Sequence, residues 1–459
     1  MSRDAWSLRR IERRSVRSSR RAILWMAATA LALSTPRGAA ADPKRPVPDY
    51  DGRGNPDADA GGGALWVPRV VLSPLYLISE FVLRRPIGAL ISTAEREHWI
   101  DTVSDVFLFG PQNNYLLVPT ALFDFGLLPS VGLYFSGDNV FAAGNTIKLH
   151  AATWGPPWLN LTALDRYSWN AGRSTISARV DFRRAADTLF LGIGPDVTTA
   201  TRSRYGLQRL DGHVSFKQAL IGESGVAVYG GVRGTWYPDG DCCNDPSLAS
   251  RIADGSLPMP PGFGLAYTSV YQRVDVTLDS RAPRPAPATG GYVNLHGEPN
   301  FDVRNGRSWI RYGGVLGGIV DVNGHQRALG LRVSADFVDP LEGGVVPFNE
   351  LAGLGSDMMP GFVDGWMLGR SAIASQLSYT WPVAVWLDGE ARVSAGNAFA
   401  DHLDGFALRK LRLSGDVGVT SIGARDQGFE ILAGVGTETI EHGGHITSVR
   451  LTFGSRRGF

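Results

Sequence analysis

From about Tyr115 onward the chain repeats one pattern: stretches of 9–14 residues in which apolar residues alternate with small or polar ones, divided by turn signals. Ser174–Phe182, Val226–Trp236, Tyr267–Leu278, Tyr292–Glu298, Arg327–Phe337 and Thr447–Phe453 show it most clearly. A period of two puts one kind of side chain on each face of a strand. Helix bundles do not tolerate it, and 57 glycines would be costly in helix interiors. The chain is therefore all-β.

Which face is apolar-out decides the class. A soluble sandwich turns its polar face to water, whereas a membrane barrel turns its apolar face to lipid. Three features favour the barrel. The segments approach the length a tilted membrane strand needs, roughly 9–11 residues. Charges stand in mid-strand, as in Arg179 with Asp181, Arg273 with Asp275, and Arg332, which suits a water-filled lumen. Aromatics gather near segment ends, namely Trp154, Trp158, Tyr167, Trp169, Trp236, Tyr237, Tyr379, Trp381 and Trp386, where an interfacial girdle would lie.

Sixteen segments are predicted, starting near Tyr115, Ser130, Asn145, Pro157, Ser174, Arg204, Gly225, Gly264, Gly290, Arg307, Gln326, Ser371, Ala384, Leu411, Gly428 and Ile446. Short connections such as Asn170–Arg173, Ile221–Ser224 and Val322–His325 alternate with long ones such as Ala185–Ser203, Pro238–Phe263, Asp339–Arg370 and Asn397–Lys410. An even count lets the sheet close without a free edge, which lipid requires. The expected fold is a 16-stranded antiparallel transmembrane β-barrel with a short N-terminal helical segment.

Residues 1–41 read as a signal peptide: eight arginines by Arg21, a 13-residue apolar run Ala22–Ser34, then Ala39-Ala40-Ala41. That run is too short to span a bilayer. These residues carry nine of the 45 basic and two of the 44 acidic residues, so the remainder holds 36 against 42 and is net acidic. No nucleic-acid partner is expected. Residues 42–63, rich in Pro, Gly and Asp, are predicted to be a disordered linker. Residues 64–106 are predicted to be an amphipathic helical segment, with Val71, Leu75, Ile78 and Val82 on one stripe. It could lie on the membrane surface, plug the lumen or simply cap the barrel.

Asp275-Val-Thr-Leu-Asp-Ser-Arg281, a Pro-rich turn and Thr289-Gly-Gly-Tyr292 together resemble a hairpin of the bacterial surface antigen family, the outer-membrane assembly and translocation factors typified by BamA and TamA. Leu189–Asp196 resembles that family's third outer loop. Leu354–Gly365 followed by Gly369-Arg370-Ser371 resembles its sixth loop and the entry to strand twelve. The resemblance covers residues 107–459. It implies a bacterial outer-membrane barrel in contact with lipid, built by the barrel assembly machinery and working with a periplasmic partner.

The chain departs from the family pattern in two places. Where the family's sixth loop carries Arg-Gly-Phe or Arg-Gly-Tyr, whose arginine pairs with acids of the lumen wall, this chain has Pro360-Gly361-Phe362. The loop-six candidates are Gly355, Pro360, Gly361, Phe362, Asp364, Gly365 and Arg370, with Asp388 and Glu390 as expected wall acids, answered by Arg370 unless packing alone holds the loop. Only about 65 residues separate the leader from the barrel, too few for one of the family's POTRA modules.

The last segment carries the expected assembly signal: Val449, Leu451 and Phe453 on one face, and Phe459 at its end, either aromatic being the one read. Metal, cofactor and enzymatic signatures are absent from the sequence, which has no Gly-x-Ser-x-Gly, His-Glu-x-x-His, P-loop or Gly-x-Gly-x-x-Gly. Glu441, His442 and His445 read better as a polar loop than as a metal site, lacking a fourth ligand. Cys242 and Cys243 could bond to each other or between molecules. The expected function is a pore or a partner-dependent membrane insertion or remodelling factor. The alternatives are a barrel enzyme acting on outer-membrane lipid, and a surface antigen binding through its loops.

Overall fold

The computed structural model describes residue 93 and residues 106–455, apart from 241, 284–286, 323–325, 385–386 and 423–428. The leader, the linker, nearly all of the 64–106 segment, Trp386 and Phe459 lie outside the described residues.

Sixteen antiparallel strands form one closed sheet. The first eight are β1 (Tyr115–Asp124), β2 (Ser130–Asp138), β3 (Asn145–Thr153), β4 (Trp158–Trp169), β5 (Ser174–Phe190), β6 (Ser203–Ile221), β7 (Ser224–Trp236) and β8 (Tyr267–Asp279). The rest are β9 (Gly290–Asp302), β10 (Arg307–Asp321), β11 (Ala328–Pro340), β12 (Ser371–Ala384), β13 (Leu387–Phe399), β14 (Arg412–Ser421), β15 (Phe429–Thr437) and β16 (Ile446–Ser455). Each begins within three residues of its predicted start. Alternation and turn chemistry are local signals, so they survive without tertiary information.

Burial is inverted relative to a soluble protein. Val180, Val214, Leu295, Leu331, Val393 and Val449 stand exposed on the outer wall, while Ser394, Asp416 and Arg450, on alternate positions, are buried on the inner one. Mid-strand charges pair along the lumen, as in Arg179 with Asp181 at 2.6 Å and Arg273 with Asp275 at 2.9 Å. This is a barrel whose outer face suits lipid and whose inner face suits water. No helix among the described residues is long and apolar enough to cross a membrane.

The predicted girdle needs correcting at two positions. Trp154, Tyr167, Trp236 and Tyr379 are exposed on the wall, but Trp158 is fully buried and Tyr237 stacks on Phe348. Both sit where the long loops fold inward, and sequence cannot tell a rim aromatic from a loop-core aromatic.

Among the described residues the largest apolar core lies at the long-loop end. It includes Phe190, Tyr205, Phe348, Met359, Phe362 and Trp366, drawn from loops three and six and the strand ends beneath them. Loop three is fastened across the lumen by Asn397 to the Pro195 carbonyl at 3.1 Å, Lys410 to Asp196 at 3.0 Å, and the Gly194 amide to the Leu368 carbonyl at 2.8 Å. Cys242 and Cys243 in loop four are bonded to each other.

Candidate functional site

Loop six, residues 341–370, enters the barrel and grips the wall at two points. The first is Glu350, in the short 3-10 turn Phe348–Glu350, with 4% of its surface exposed. Its carboxylate accepts from Arg209 at 2.6 Å, from the Tyr267 hydroxyl at 2.5 Å and from Arg233 at 3.3 Å. Arg311 donates to the Glu350 and Leu351 carbonyls at 2.8 and 3.1 Å. Burial on its own would raise the Glu350 pKa, but Arg209, Arg233 and Arg311 outweigh it and hold the group below the usual glutamate range. Arg233 is shared with Asp211 at 2.6 Å and Glu298 at 3.3 Å, so loop six is tied to β6, β7, β8, β9 and β10 together.

The second point is the tip. Two short strands, Ala352–Leu354 and Met367–Gly369, pair to form its stem. Asp364 closes the stem by accepting from the Ser356 amide and hydroxyl, both at 3.0 Å. Gly355 lies so near that a Cβ there would sit 2.4 Å from the Asp364 carboxylate. Gly365 adopts φ +88° against the Leu189 carbonyl, a conformation open to glycine and a space open to nothing larger.

Beyond the stem, Pro360-Gly361-Phe362 docks on the inner faces of β14, β15 and β16. The Gly361 amide donates to Ser414 Oγ at 2.8 Å, and Ser448 Oγ donates to the Gly361 carbonyl at 2.7 Å. Opposite stand Gly434 and Gly436. A Cβ on Gly434 would meet Gly361 at 3.2 Å, and one on Gly436 would meet the Phe362 ring at 2.4 Å. Gln376 fastens the flank by donating to the Asp357 and Met358 carbonyls.

Arg450 completes the site. Its Nη1 donates to the Pro360 and Phe362 carbonyls, each at 3.2 Å, while Nε and Nη2 grip Asp124 of β1 at 2.8 and 2.6 Å. The guanidinium comes from the wall and the acceptors from the loop. That reverses the polarity which the family resemblance implies, and it accounts for a tip with proline in the arginine's place.

The other expected residues are distributed differently. The bonds of the tip fall on Ser414, Ser448 and Arg450; Glu390 is paired with Arg392 at 3.4 Å on the same face of β13, and Arg392 is held by Asp416 at 2.7 Å. Arg370 reaches neither Asp388 nor Glu390. It bridges Asp339 at 2.5 Å and Asp401 at 3.0 Å at the long-loop rim, because Ser371 pairs with Phe399 at the end of β13 opposite from Asp388. Val449, Leu451 and Phe453 alternate with Arg450 and Thr452 along β16. Glu441 pairs with Arg409 at 3.1 Å, and His442 with the Thr439 hydroxyl at 2.7 Å. Sequence reasoning missed Glu350, Ser414, Gly434, Gly436 and Ser448. Nothing in the sequence singles these glycines out, since β15 carries two in nine residues where β7 carries four in thirteen.

At the rim, the connection from β13 to β14, residues 400–411, is latched by His402, whose Nδ1 lies 2.6 Å from Asp401 and Nε2 2.9 Å from Asp339. The hydrogen bond to Asp339, then that to Asp401, raises the His402 pKa above 6.5. A raised folded pKa means the latch is complete below 6.5 and is lost as pH rises through the folded value. Tryptic cleavage at Arg409 and Lys410 in the intact barrel should therefore accelerate as pH rises across that window. His402→Gln should flatten the dependence. A wild-type profile no steeper than the trypsin activity itself would refute the latch.

The barrel closes where β16 meets β1, through Thr452 with Asp124, Phe453 with Phe123 and Gly454 with Leu122. Among the described residues these three pairs contrast with the next shortest seam, β14 with β15, which pairs without a break from Ser414 to Thr420. Past the three pairs, the Phe125 amide donates to the Leu451 carbonyl at 3.0 Å. The near end of β1 is capped on its own hairpin, Leu108 with Leu116 and Phe109 with Tyr115.

No protein-family model matches the sequence, and no curated protein does. Among solved structures, BamA from Haemophilus ducreyi lacking POTRA domains 1–3 superposes with TM-score 0.53 at 11% identity, over 74% of this chain and 70% of that one. CdiB from Escherichia coli gives TM-score 0.48 at 11% identity over 75% of this chain and 64% of that one. CdiB from Acinetobacter baumannii gives 0.45 at 10% identity over 74% and 59%. The chain thus spans less than two thirds of either CdiB. The fold, with its sixteen strands, inverted wall and lumenal sixth loop, is that of a BamA-like outer-membrane β-barrel.

Proposed function

We propose that this chain assists the passage or insertion of polypeptide at the outer membrane through the seam between β1 and β16, together with a periplasmic partner. The observation that carries the reading is the seam. A barrel normally hides every edge, since unpaired backbone in lipid is costly. Among the described residues the closing pair is the shortest of the sheet, and the part of β16 before Thr452 offers an edge onto which an extended chain could add. Loop six crosses the lumen and is fixed on both sides, which favours lateral passage over a standing open pore. The reading assigns no catalytic step.

The test is to lock the seam. Phe123→Cys with Phe453→Cys places a disulfide across a registered pair, and the native cysteines are already bonded to each other. In proteoliposomes, the oxidised double variant should lose the ability to speed folding of an unfolded outer-membrane barrel protein, and reductant should restore it. Equal acceleration by locked and unlocked protein would overturn the reading.

A further inference from the structure

Arg450 stands at the point where the seam and loop six meet, and its surroundings say what opening must involve. Its side chain is 10% exposed and that of Asp124 is 5% exposed. Two of its nitrogens hold the Asp124 carboxylate in a bidentate pair, and the third holds two neutral carbonyls of loop six. When β1 leaves β16, Asp124 leaves with it. The carbonyls remain, but they carry no net charge, and a buried guanidinium without a counter-charge is strongly disfavoured.

Glu430 of β15 and Asp364 of loop six act on Arg450 from Coulombic range rather than by direct contact. Asp416, in register with Arg450 across Gly434, holds Arg392, and Asp364 holds Ser356. The bidentate place that Asp124 leaves is thus open to an anion from outside. The space that β1 vacates lies along the edge of β16, so a chain that adds there in extended form brings its own groups to the position of Asp124.

Resting on the seam as the working site, we propose that Arg450 is a carboxylate receptor. Asp124 occupies it in the closed barrel, and a carboxylate carried by an incoming extended peptide takes its place when β1 and β16 part. Planar, bidentate recognition of carboxylate is what a guanidinium does better than an ammonium. The carboxylate is either the C-terminus of the incoming chain or an aspartate or glutamate side chain on it. Loop six is coupled to the exchange, because the same guanidinium holds the Pro360 and Phe362 carbonyls.

The experiment uses the full chain in detergent micelles carrying Phe123→Cys and Phe453→Cys, reduced, with the rate of oxidative cross-linking as the measure of a closed seam. The probes are an acetylated Thr-Val-Thr-Val-Thr-Phe peptide as free acid, the same peptide as C-terminal amide, and an amide version with one internal Asp. The free acid should slow cross-linking about tenfold relative to the amide, and Arg450→Gln in the same background should remove the difference. If the internal-Asp amide acts like the free acid, the receptor accepts side-chain carboxylates as well. If it acts like the plain amide, the receptor reads the terminus.

Equal effects of all three peptides on the wild-type pair would overturn the proposal, whatever the locked-seam assay gives. Should Arg450→Gln fail to form a heat-modifiable barrel, Asp124→Asn serves instead. It keeps the receptor and removes its occupant, so the free acid should act at lower concentration than on wild type, and an unchanged concentration would overturn the proposal. Failure of the seam reading looks different: locked protein works normally, whether or not the acid and the amide differ.

Discussion

Glu350→Ala should release the whole base of loop six. The substitution removes one carboxylate, yet it leaves Arg209 without its charge partner and deprives Tyr267 and Arg233 of an acceptor. Breaking a buried ion pair by deleting one partner costs about 3–5 kcal/mol when the remaining charge stays buried, and Arg209, with 28% of its side chain exposed, sets this case at the lower end. Arg233 keeps Asp211 and Glu298, so the loss concentrates on Arg209 and on the loop. The expected result is a lowered urea midpoint for loss of the heat-modifiable form, with rapid proteolysis within residues 341–370. Glu350→Gln retains the shape and an acceptor for Tyr267 but not the charge, and should fall between.

Acid should mimic the variant. A folded pKa below the ordinary 4.5 means the anchor is present above that value and is lost as pH falls through the lower folded one. Wild type should therefore resist protease at neutral pH and lose that resistance only in strong acid. A Glu350→Ala barrel with wild-type midpoint and loop protection would show that the core around Phe348 holds the loop unaided.

Such residues mark the limit of what the sequence discloses. The sixteen strands were legible because alternation is written into each segment, and Gly355, Gly361, Asp364 and Gly365 were legible because the family resemblance is carried by loop six. The partners were not. Glu350 lies in a loop and looks like any surface acid until the fold brings that loop back into the lumen. Arg450 looks like any lumenal charge on an alternating strand. Nothing in a strand's own pattern tells that its arginine reaches a loop some ninety residues away, or an aspartate in the first strand. The expectation that placed the wall partners near Asp388 and Glu390 followed the direction of the family's ion pair, whereas the bonds seen run from wall arginine to loop carbonyl.

The glycines of β15 make a stronger demand than their conformation suggests. Gly436 has an ordinary strand backbone, so nothing in φ or ψ requires glycine there. Space does. A Cβ would sit 2.4 Å from the Phe362 ring, which is itself fully buried and packed on Trp366 at 5.3 Å. Gly436→Ala should therefore force Phe362 out of its slot, at about 1–3 kcal/mol for overpacking a tight contact. A ring displaced in this way would also pull the Phe362 and Pro360 carbonyls away from Arg450. The barrel should still assemble, since strand register does not depend on loop six. Its loop-six tip should become protease-sensitive, and single-channel conductance in a planar bilayer should rise several-fold as the lumen clears. Phe362→Ala in the same chain removes the ring that collides, so the pair should regain the protection that Gly436→Ala alone has lost. Wild-type conductance from Gly436→Ala, or no rescue by the second substitution, would mean that the slot of β15 does not hold the loop closed.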